Sequence, residues 1–285
     1  MQKFLLGCGI AAALLAALPA QAVRLYGVDE VNNLISFDSA APGTTLSSVA
    51  ISGVGGSSIL SIDVRVADGL FYALTDDNRL YTVNPASGAS SLFASLALTG
   101  SNFAFDFNPV NTNLRIVSND NSNYVYNFTT LALVPGPNVA YTAGGLGDPD
   151  IVGAAYTFND NDAATGTTLY VLDSRNDVLS TLNTTTGALT VVGPLGVDIG
   201  ARSSFDIATT GANNQGFVQS GSTLYTINLA TGALSVAGNT GRALFGLTAA
   251  APVPEPATWA GMLLGLAGLG AFVHARKCRA NLRAV

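Results

Sequence analysis

Residues 80–89 read Leu80-Tyr81-Thr82-Val83-Asn84-Pro85-Ala86-Ser87-Gly88-Ala89. Nearly the same residue types return at 224–233, as Leu-Tyr-Thr-Ile-Asn-Leu-Ala-Thr-Gly-Ala, and a third copy lies at 179–188. A looser copy occupies 34–43, and a copy that lacks the glycine lies at 125–130. The turn glycines Gly43, Gly88, Gly187 and Gly232 are 45, 99 and 45 residues apart, so the middle gap covers two periods. A repeat of about 45 residues is typical of β-propeller blades.

Each copy contains four strand-like runs in the same order. An apolar run such as 103–107 comes first, a second run such as 169–172 follows, and the repeated ten-residue motif then leads into a last run such as 189–192. Short β-rich runs divided by Asn, Asp and Gly turns indicate an all-β sandwich or propeller. The chain begins with a second-type run at 24–28 and ends with a first-type run at 244–248, so the last run can complete the first blade.

We therefore predict an all-β fold, a five-bladed β-propeller of four-stranded repeats that is closed by its C-terminal strand. Ring closure would also remove the exposed sheet edges that invite aggregation. The repeat domain is expected to cover residues 23–251. An open or six-bladed ring is the alternative, because residues 131–161 are longer and less regular than the other repeats.

The first 22 residues have the composition of a targeting segment. Lys3 precedes an apolar run over residues 4–18, and the segment ends in Ala20-Gln21-Ala22. This order of charged, apolar and small residues is that of a secretory signal peptide. We predict a cleavable signal helix over 1–22, cleavage after Ala22, and export by the secretion machinery.

The C-terminal segment has the composition of a membrane span. Residues 257–275 contain no Asp, Glu, Lys or Arg, and Arg276, Lys277, Arg279 and Arg283 follow at once. A helix of this length spans about 28 Å, which is enough to cross a bilayer core. The cationic tail is expected to stay cytoplasmic, with the body on the other side of the membrane.

Directly before this span stands Pro254-Glu255-Pro256. The order of Pro-Glu-Pro, apolar span and Arg/Lys-rich tail over residues 252–285 resembles the PEP-CTERM sorting signal of Gram-negative bacteria. The resemblance implies a transient stay in the inner membrane through residues 257–275 and processing by an exosortase near Pro254, Glu255 and Pro256. It further implies a final place at the cell surface or in the extracellular matrix, in association with exopolysaccharide and biofilm. A permanent membrane anchor is the alternative.

The body between these two end segments has an unusual set of reactive groups. It carries seven arginines, no lysine and seventeen acids, for a net charge of −10 against −6 for the whole chain. It contains neither cysteine nor histidine, because Cys8, Cys278 and His274 all lie in the end segments. Disulfides, Ser-His-Asp or Cys-His catalysis and His-ligated zinc are therefore excluded from the body. The acidic charge also argues against nucleic acid as a partner.

Several phrases of the body are similar to an uncharacterised bacterial family, a domain of unknown function that PEP-CTERM proteins often carry. They are 25–29 (Leu-Tyr-Gly-Val-Asp), 105–109 (Phe-Asp-Phe-Asn-Pro), 114–119 (Leu-Arg-Ile-Val-Ser-Asn), 152–156 (Val-Gly-Ala-Ala-Tyr) and 166–170 (Gly-Thr-Thr-Leu-Tyr). This resemblance supports the propeller and implies no activity.

Aspartates follow or interrupt many of the predicted strands, at positions 29, 76, 77, 106, 120, 173 and 206. Carboxylate clusters of this kind can bind Ca²⁺. The sharpest local candidates are Asp148 and Asp150, and Asp160 and Asp162, although neither pair completes an EF-hand loop. Because Asp and Asn favour turns through their own backbone hydrogen bonds, a structural role is preferred, no cofactor is assigned, and Ca²⁺ stays the alternative.

Two functions of different class follow. The favoured hypothesis is a non-enzymatic, surface-sorted propeller that contributes to an exopolysaccharide or biofilm matrix by binding. The rival is a carbohydrate-active enzyme that uses two carboxylates, with Ca²⁺ as a possible support. Tyr26, Tyr72, Tyr81, Tyr170 and Tyr225 could stack on sugars, but their recurrence at repeat positions favours packing between blades.

Overall fold

The structure of the protein is a computed structural model that describes residues 22–143, 145–160 and 162–250 of the 285-residue chain. Ala22, the predicted last residue of the signal peptide, is exposed just before the first strand. The rest of the signal peptide, the Pro-Glu-Pro motif, the apolar span and the basic tail lie outside these ranges. Within the described part of the chain, no helix is long and apolar enough to cross a bilayer.

The described residues form five β-sheets arranged as the blades of a propeller, as predicted. Blade 1 consists of β1 (Arg24–Asp29), β2 (Asn33–Asp38), β3 (Ala41–Ala50) and the closing strand β21 (Leu244–Ala249). Blade 2 consists of β4 (Ile59–Arg65), β5 (Leu70–Thr75), β6 (Arg79–Val83) and β7 (Ser90–Ser95). Blade 3 consists of β8 (Phe103–Phe107), β9 (Leu114–Ser118), β10 (Asn123–Asn127) and β11 (Ala132–Pro135).

The last two blades complete the ring. Blade 4 consists of β13 (Ile151–Tyr156), β14 (Leu169–Asp173), β15 (Val178–Leu182) and β16 (Ala188–Pro194), and the short strand β12 (Ala140–Tyr141) joins it as a fifth strand parallel to β16. Blade 5 consists of β17 (Ser204–Thr210), β18 (Asn213–Ser220), β19 (Thr223–Ile227) and β20 (Leu234–Asn239). The extra strand β12 lies in the irregular stretch that the repeat pattern did not resolve.

The first blade is closed as the sequence predicted. Strand β21 pairs antiparallel with β1, so the inner strand of blade 1 comes from the end of the described chain. The β1 residues Leu25 and Asp29 lie opposite Ala249 and Leu244. This pairing joins the two ends of the ring through backbone hydrogen bonds.

The hydrophobic core is divided into five clusters, one between each pair of neighbouring blades. Inner strands are buried along their whole length, as in β8, β13 and β21, whereas the outer strands β7 and β20 are mostly exposed. Tyr72 and Tyr81 are buried within these clusters, and Tyr26, Tyr170 and Tyr225 pack against them. The repeated tyrosines therefore pack between blades.

In its copies at Gly88 and Gly232, the repeated motif forms a turn that lies against the last strand of the preceding blade. In the copies at Gly88, Gly187 and Gly232, the glycine has a positive φ, which disfavours other residues. A Cβ on Gly88 would lie 2.0 Å from the carbonyl oxygen of Ala50 in the preceding blade. The glycine is thus required both by its own backbone conformation and by the neighbouring backbone. At the corresponding position of the copy that lacks glycine, Leu131 adopts φ 55°.

Candidate functional site

The five inner strands surround the central axis, and each contacts the inner strands of both neighbouring blades. Equivalent positions of these strands form one layer of side chains, which we call the central ring. Its members, in blade order from blade 2 to blade 1, are Asp63, Asp106, Ala155, Asp206 and Thr248. Three of the five blades therefore place a carboxyl group at the centre of the molecule.

Each aspartate of the ring is hydrogen-bonded to the following blade. Asp63 Oδ2 accepts from the backbone N–H of Phe107 at 3.1 Å, and Asp206 Oδ2 accepts from that of Ala249 at 2.5 Å. Asp106 Oδ2 accepts in the same way from Tyr156. In every case the donor is the residue after the ring position of the next blade. The carboxylates thus connect blade 2 to 3, blade 3 to 4, and blade 5 to 1.

Two members of the central ring, Ala155 and Thr248, carry no carboxylate, so the backbone N–H group of the next blade that each would otherwise bind finds another acceptor. Because Ala155 offers no acceptor, the N–H of Ile207 is taken by the side chain of its own neighbour, Asp206 Oδ1, at 2.6 Å. Val64 likewise donates to Asp63 Oδ1 at 2.7 Å. Thr248, the hydroxyl member of the ring, donates to the same Asp63 oxygen at 2.8 Å.

One oxygen of the ring is left without a donor. Asp106 Oδ1 is buried and has no hydrogen-bond partner, since the N–H of Phe107 is already bound to Asp63. Each of the three aspartates is only 2% exposed. Loss of hydration raises the pKa of Asp63 and of Asp106, the latter strongly with the added effect of the Asp63 charge, and it raises the pKa of Asp206 to about 8.

Asp63, Asp106 and Asp206, which we call the acid triad, each offer a carboxyl oxygen within 4.8 Å of the others. Within the described ranges this is the single group of three or more acidic, histidine or cysteine side chains with such spacing. Asp106 lies in the predicted first-type run 103–107, but the sequence did not single out the three aspartates as a set. A signal was present, because an acid between apolar neighbours recurs in 62–64, 105–107 and 205–207.

A cavity lies beside the ring, toward the N-terminal ends of the inner strands. It has a volume of about 20 Å³, and Ser61, Ser204 and Phe245 are among its lining residues. Ser204 Oγ is buried and has no hydrogen-bond partner. The cavity shares Leu60, Asn102 and Arg202 with a wider depression of about 380 Å³, which we call the upper mouth.

The upper mouth is polar and is built from loops. Asp76 and Asn119 follow second strands of their blades, whereas Asn102, Asp150 and Arg202 precede inner strands. The Arg202 guanidinium stacks on the ring of Phe245 at 3.8 Å, which holds the cation over an aromatic surface. The arrangement offers hydrogen-bond donors, acceptors and one cation at an open concave surface.

The four sequence candidates for a metal lie apart from the acid triad. Asp148 is exposed, pairs with Arg175 at 3.1 Å and accepts from Asn121. Asp150 accepts from Ser174 Oγ at 3.1 Å and lines the upper mouth. Asp160 and Asp162 are exposed and cap a turn, with their carboxyl oxygens bound to the backbone of Asp162 and Ala164.

The chain is similar to a solved structure and to two family models. The solved structure of an auxiliary nutrient binding protein from Bacteroides thetaiotaomicron VPI-5482 matches 75% of this chain at 14% identity and a TM-score of 0.49. The match covers 53% of that protein, so the chain spans about half its length. No curated protein matches the chain.

Two family models match different parts of the sequence. The PEP-CTERM protein-sorting motif matches residues 252–277, which confirms the resemblance in the C-terminal segment and implies export, exosortase processing and sorting to the cell surface. The second model, described as "Domain of unknown function (DUF4394)", matches residues 33–248, nearly the whole propeller. The chain therefore belongs to the DUF4394 family and carries a PEP-CTERM sorting motif.

Proposed function

We propose that this protein is a non-enzymatic, exported binding propeller that holds a polar saccharide at its upper mouth as a component of an exopolysaccharide or biofilm matrix. In this proposal the apolar span at 257–275 keeps the chain in the inner membrane until the exosortase acts near Pro254, Glu255 and Pro256. The mature propeller then stays at the cell surface or in the surrounding matrix.

The burial of the acid triad is the observation on which the non-enzymatic proposal rests. The acid triad is buried and its oxygens accept hydrogen bonds from the backbone of neighbouring blades, so it serves the ring itself. A glycosidase needs two carboxyl groups that flank a bound sugar. Three carboxyl groups with oxygens within 4.8 Å of one another and 2% exposed leave no room for a sugar ring between them.

The upper mouth has the chemistry of a saccharide site. Sugars are bound by planar polar groups and aromatic or guanidinium surfaces, and Asn102, Asn119 and Arg202 offer such groups in one depression. Arg202 is already held against Phe245, so less side-chain entropy is lost when a ligand binds.

A second function is favoured by one observation, the presence of both Asp76 and Asp150 in the upper mouth. Two accessible carboxyl groups in a polar depression are the minimum for carboxylate-based sugar hydrolysis. This carbohydrate-active enzyme would need one of the two acids protonated and the other ionised near neutral pH.

One experiment separates the two functions. The exported protein is screened on a glycan array, and released sugars are measured in the same wells. We expect binding without product release, and we expect Arg202→Ala to weaken binding while the matched variant Arg175→Ala, at an exposed arginine paired with Asp148, leaves it unchanged. Product release that disappears in Asp76→Asn or Asp150→Asn would establish the enzyme instead, and an array without any bound glycan would refute the saccharide site.

A further inference from the structure

The acid triad has an unbalanced charge. The ion pairs of the described residues involve Asp29, Asp68, Asp77 and Asp148, and none of them reaches the triad. Arg115 lies opposite Asp106 in the β8–β9 register, but its guanidinium donates to Asn123 at 2.9 Å. Burial of carboxylates without a compensating positive charge is costly, so the triad requires protons or a cation.

At two of the three positions both carboxyl oxygens already accept hydrogen bonds. Both oxygens of Asp63 and both oxygens of Asp206 accept from N–H groups. A carboxyl group held by such bonds at both oxygens is fixed in place, and its carboxylate form is the one that binds a cation.

A separate observation points to a ligand. Asp106 Oδ1 is the one triad oxygen without a donor, in a side chain that is 98% buried by its 2% exposure. Buried polar atoms in folded proteins nearly always have a partner, so this oxygen needs either a proton shared with the neighbouring Asp63 or a bound cation.

The spacing fits a hard divalent cation. Oxygen ligands lie 2.3–2.6 Å from Ca²⁺, so two ligands of one ion are at most about 5 Å apart. The three carboxyl oxygens of the triad lie within 4.8 Å of one another, and carboxylates bind Ca²⁺ through one or both oxygens. An oxygen that accepts a single N–H bond, such as Asp63 Oδ2 or Asp206 Oδ2, keeps a further lone pair for the ion.

We propose that Asp63, Asp106 and Asp206 bind one divalent cation of the Ca²⁺ type at the centre of the propeller, with Thr248 positioning Asp63. The ion would hold blades 2, 3 and 5 together at the axis. This site is different from the loop acids Asp148, Asp150, Asp160 and Asp162, and it is independent of the saccharide site at the upper mouth.

The test measures the ion and its effect on stability in the exported protein. Purified protein is first analysed for bound metal by mass spectrometry, then treated with EDTA and melted with CaCl₂ or MgCl₂ alone. We expect about one ion per chain, and we expect saturating Ca²⁺ to raise the melting midpoint by about 5–10 °C over the EDTA-treated sample.

Matched variants locate the site. Asp106→Asn keeps the shape of the side chain, removes the unpartnered anionic oxygen, and is expected to lose the bound ion and most of the Ca²⁺-induced shift. Asp160→Asn, at an exposed turn acid, is expected to keep both. Where Asp106→Asn fails to fold, the metal content and Ca²⁺ shift of the unmodified protein still decide the question.

Three outcomes would overturn the proposal. If the purified protein contains no metal and its melting midpoint does not change with CaCl₂ or MgCl₂, protons alone balance the charge of the triad. A Ca²⁺ shift that survives in Asp106→Asn, or one that vanishes in Asp160→Asn, would place the ion elsewhere. Loss of glycan binding has no bearing on these readouts, so the cation site and the saccharide site fail separately.

Discussion

Thr248 in the closing strand donates its hydroxyl hydrogen to Asp63 Oδ1 at 2.8 Å, across 185 positions of sequence. The bond joins blade 1 to blade 2 at the axis, where the pattern of carboxylate-to-backbone bonds is otherwise interrupted. Both side chains are buried, at 0% and 2% exposure. The Thr248–Asp63 hydrogen bond therefore adds a side-chain contact to the β1–β21 backbone pairing that closes the ring.

Replacement of this hydroxyl tests its value. Thr248→Val keeps the shape and removes the donor, and because the acceptor is a buried carboxylate we expect a loss of about 1.5–3 kcal/mol in the free energy of unfolding. Urea denaturation measures the change. The control Thr226→Val alters a half-buried threonine whose hydroxyl only reaches Ser235 O at 3.5 Å, and equal losses in the two variants would contradict a special role for Thr248.

The close approach of the inner strands of blades 4 and 5 predicts that a larger side chain between them destabilises the protein. A Cβ on Gly153 would lie 2.6 Å from the Cβ of Phe205 in the next blade. Gly153→Ala is therefore expected to destabilise the protein by about 1–3 kcal/mol through overpacking. Gly200→Ala, where a Cβ has no neighbour within 4 Å, is the control, and thermal melting that shifts equally in both would show that the strands can separate at no cost.

Alanine variants of two glycines with positive φ distinguish backbone strain from a steric collision with the neighbouring blade. Gly88 and Gly69 have φ of 73° and 70°, but only a Cβ on Gly88 meets neighbouring backbone, at 2.0 Å from Ala50 O. Alanine at either site is expected to cost about 1–2 kcal/mol for its backbone conformation. Gly88→Ala should cost at least about 1 kcal/mol more because of the collision. Denaturation midpoints that coincide would argue that blades 1 and 2 separate easily at this turn.

In the copy of the motif that lacks the glycine, we expect one substitution to stabilise the protein. Leu131 has φ 55° and is 64% exposed, so its side chain contributes little burial. Leu131→Gly relieves the left-handed strain at some entropic cost, and we expect a net gain of about 0.5–1 kcal/mol. Leu92→Gly, at a 57% exposed position inside strand β7, should instead lose stability. A loss in both variants would show that Leu131 packs usefully in solution.

Removal of the closing strand tests ring closure. A chain that ends at residue 250 keeps β21, whereas one that ends at 243 leaves β1 as an unpaired edge and removes Leu244, Leu247 and Ala249 from the core between blades 1 and 5. We expect the shorter chain to aggregate or to elute as oligomers on size exclusion, because exposed strand edges pair with other chains. A shorter chain that stays monomeric and melts cooperatively would refute this prediction.

Much of the fold could be predicted because it is local and periodic. The motif at 80–89 and its copies set the number of blades and the position of each turn, since every blade repeats one supersecondary unit. The offset between a second-type strand at the start and a first-type strand at the end predicted the β1–β21 pairing. The parallel strand β12 was missed because a two-residue strand has no pattern of its own.

The candidate site was less predictable. The sequence pointed to Asp148, Asp150, Asp160 and Asp162 because neighbouring acids are visible in a linear chain. The acid triad is made of residues 43 and 100 positions apart, and each looked like one polar residue in an apolar strand. The upper mouth likewise combines loops of several blades, among them those of Asp76, Asn119 and Arg202.

The amino-acid sequence by itself determined the repeat, the closing strand, the absence of histidine and cysteine chemistry from the body, and the sorting motif. All of these are properties of composition or of spacing along the chain. Only the tertiary structure decided that Asp63, Asp106 and Asp206 face one another while the loop acids face solvent. The physical reason is ring closure, which brings equivalent positions of distant repeats to a common axis, where water is excluded and each carboxyl group must find its partner in the next blade.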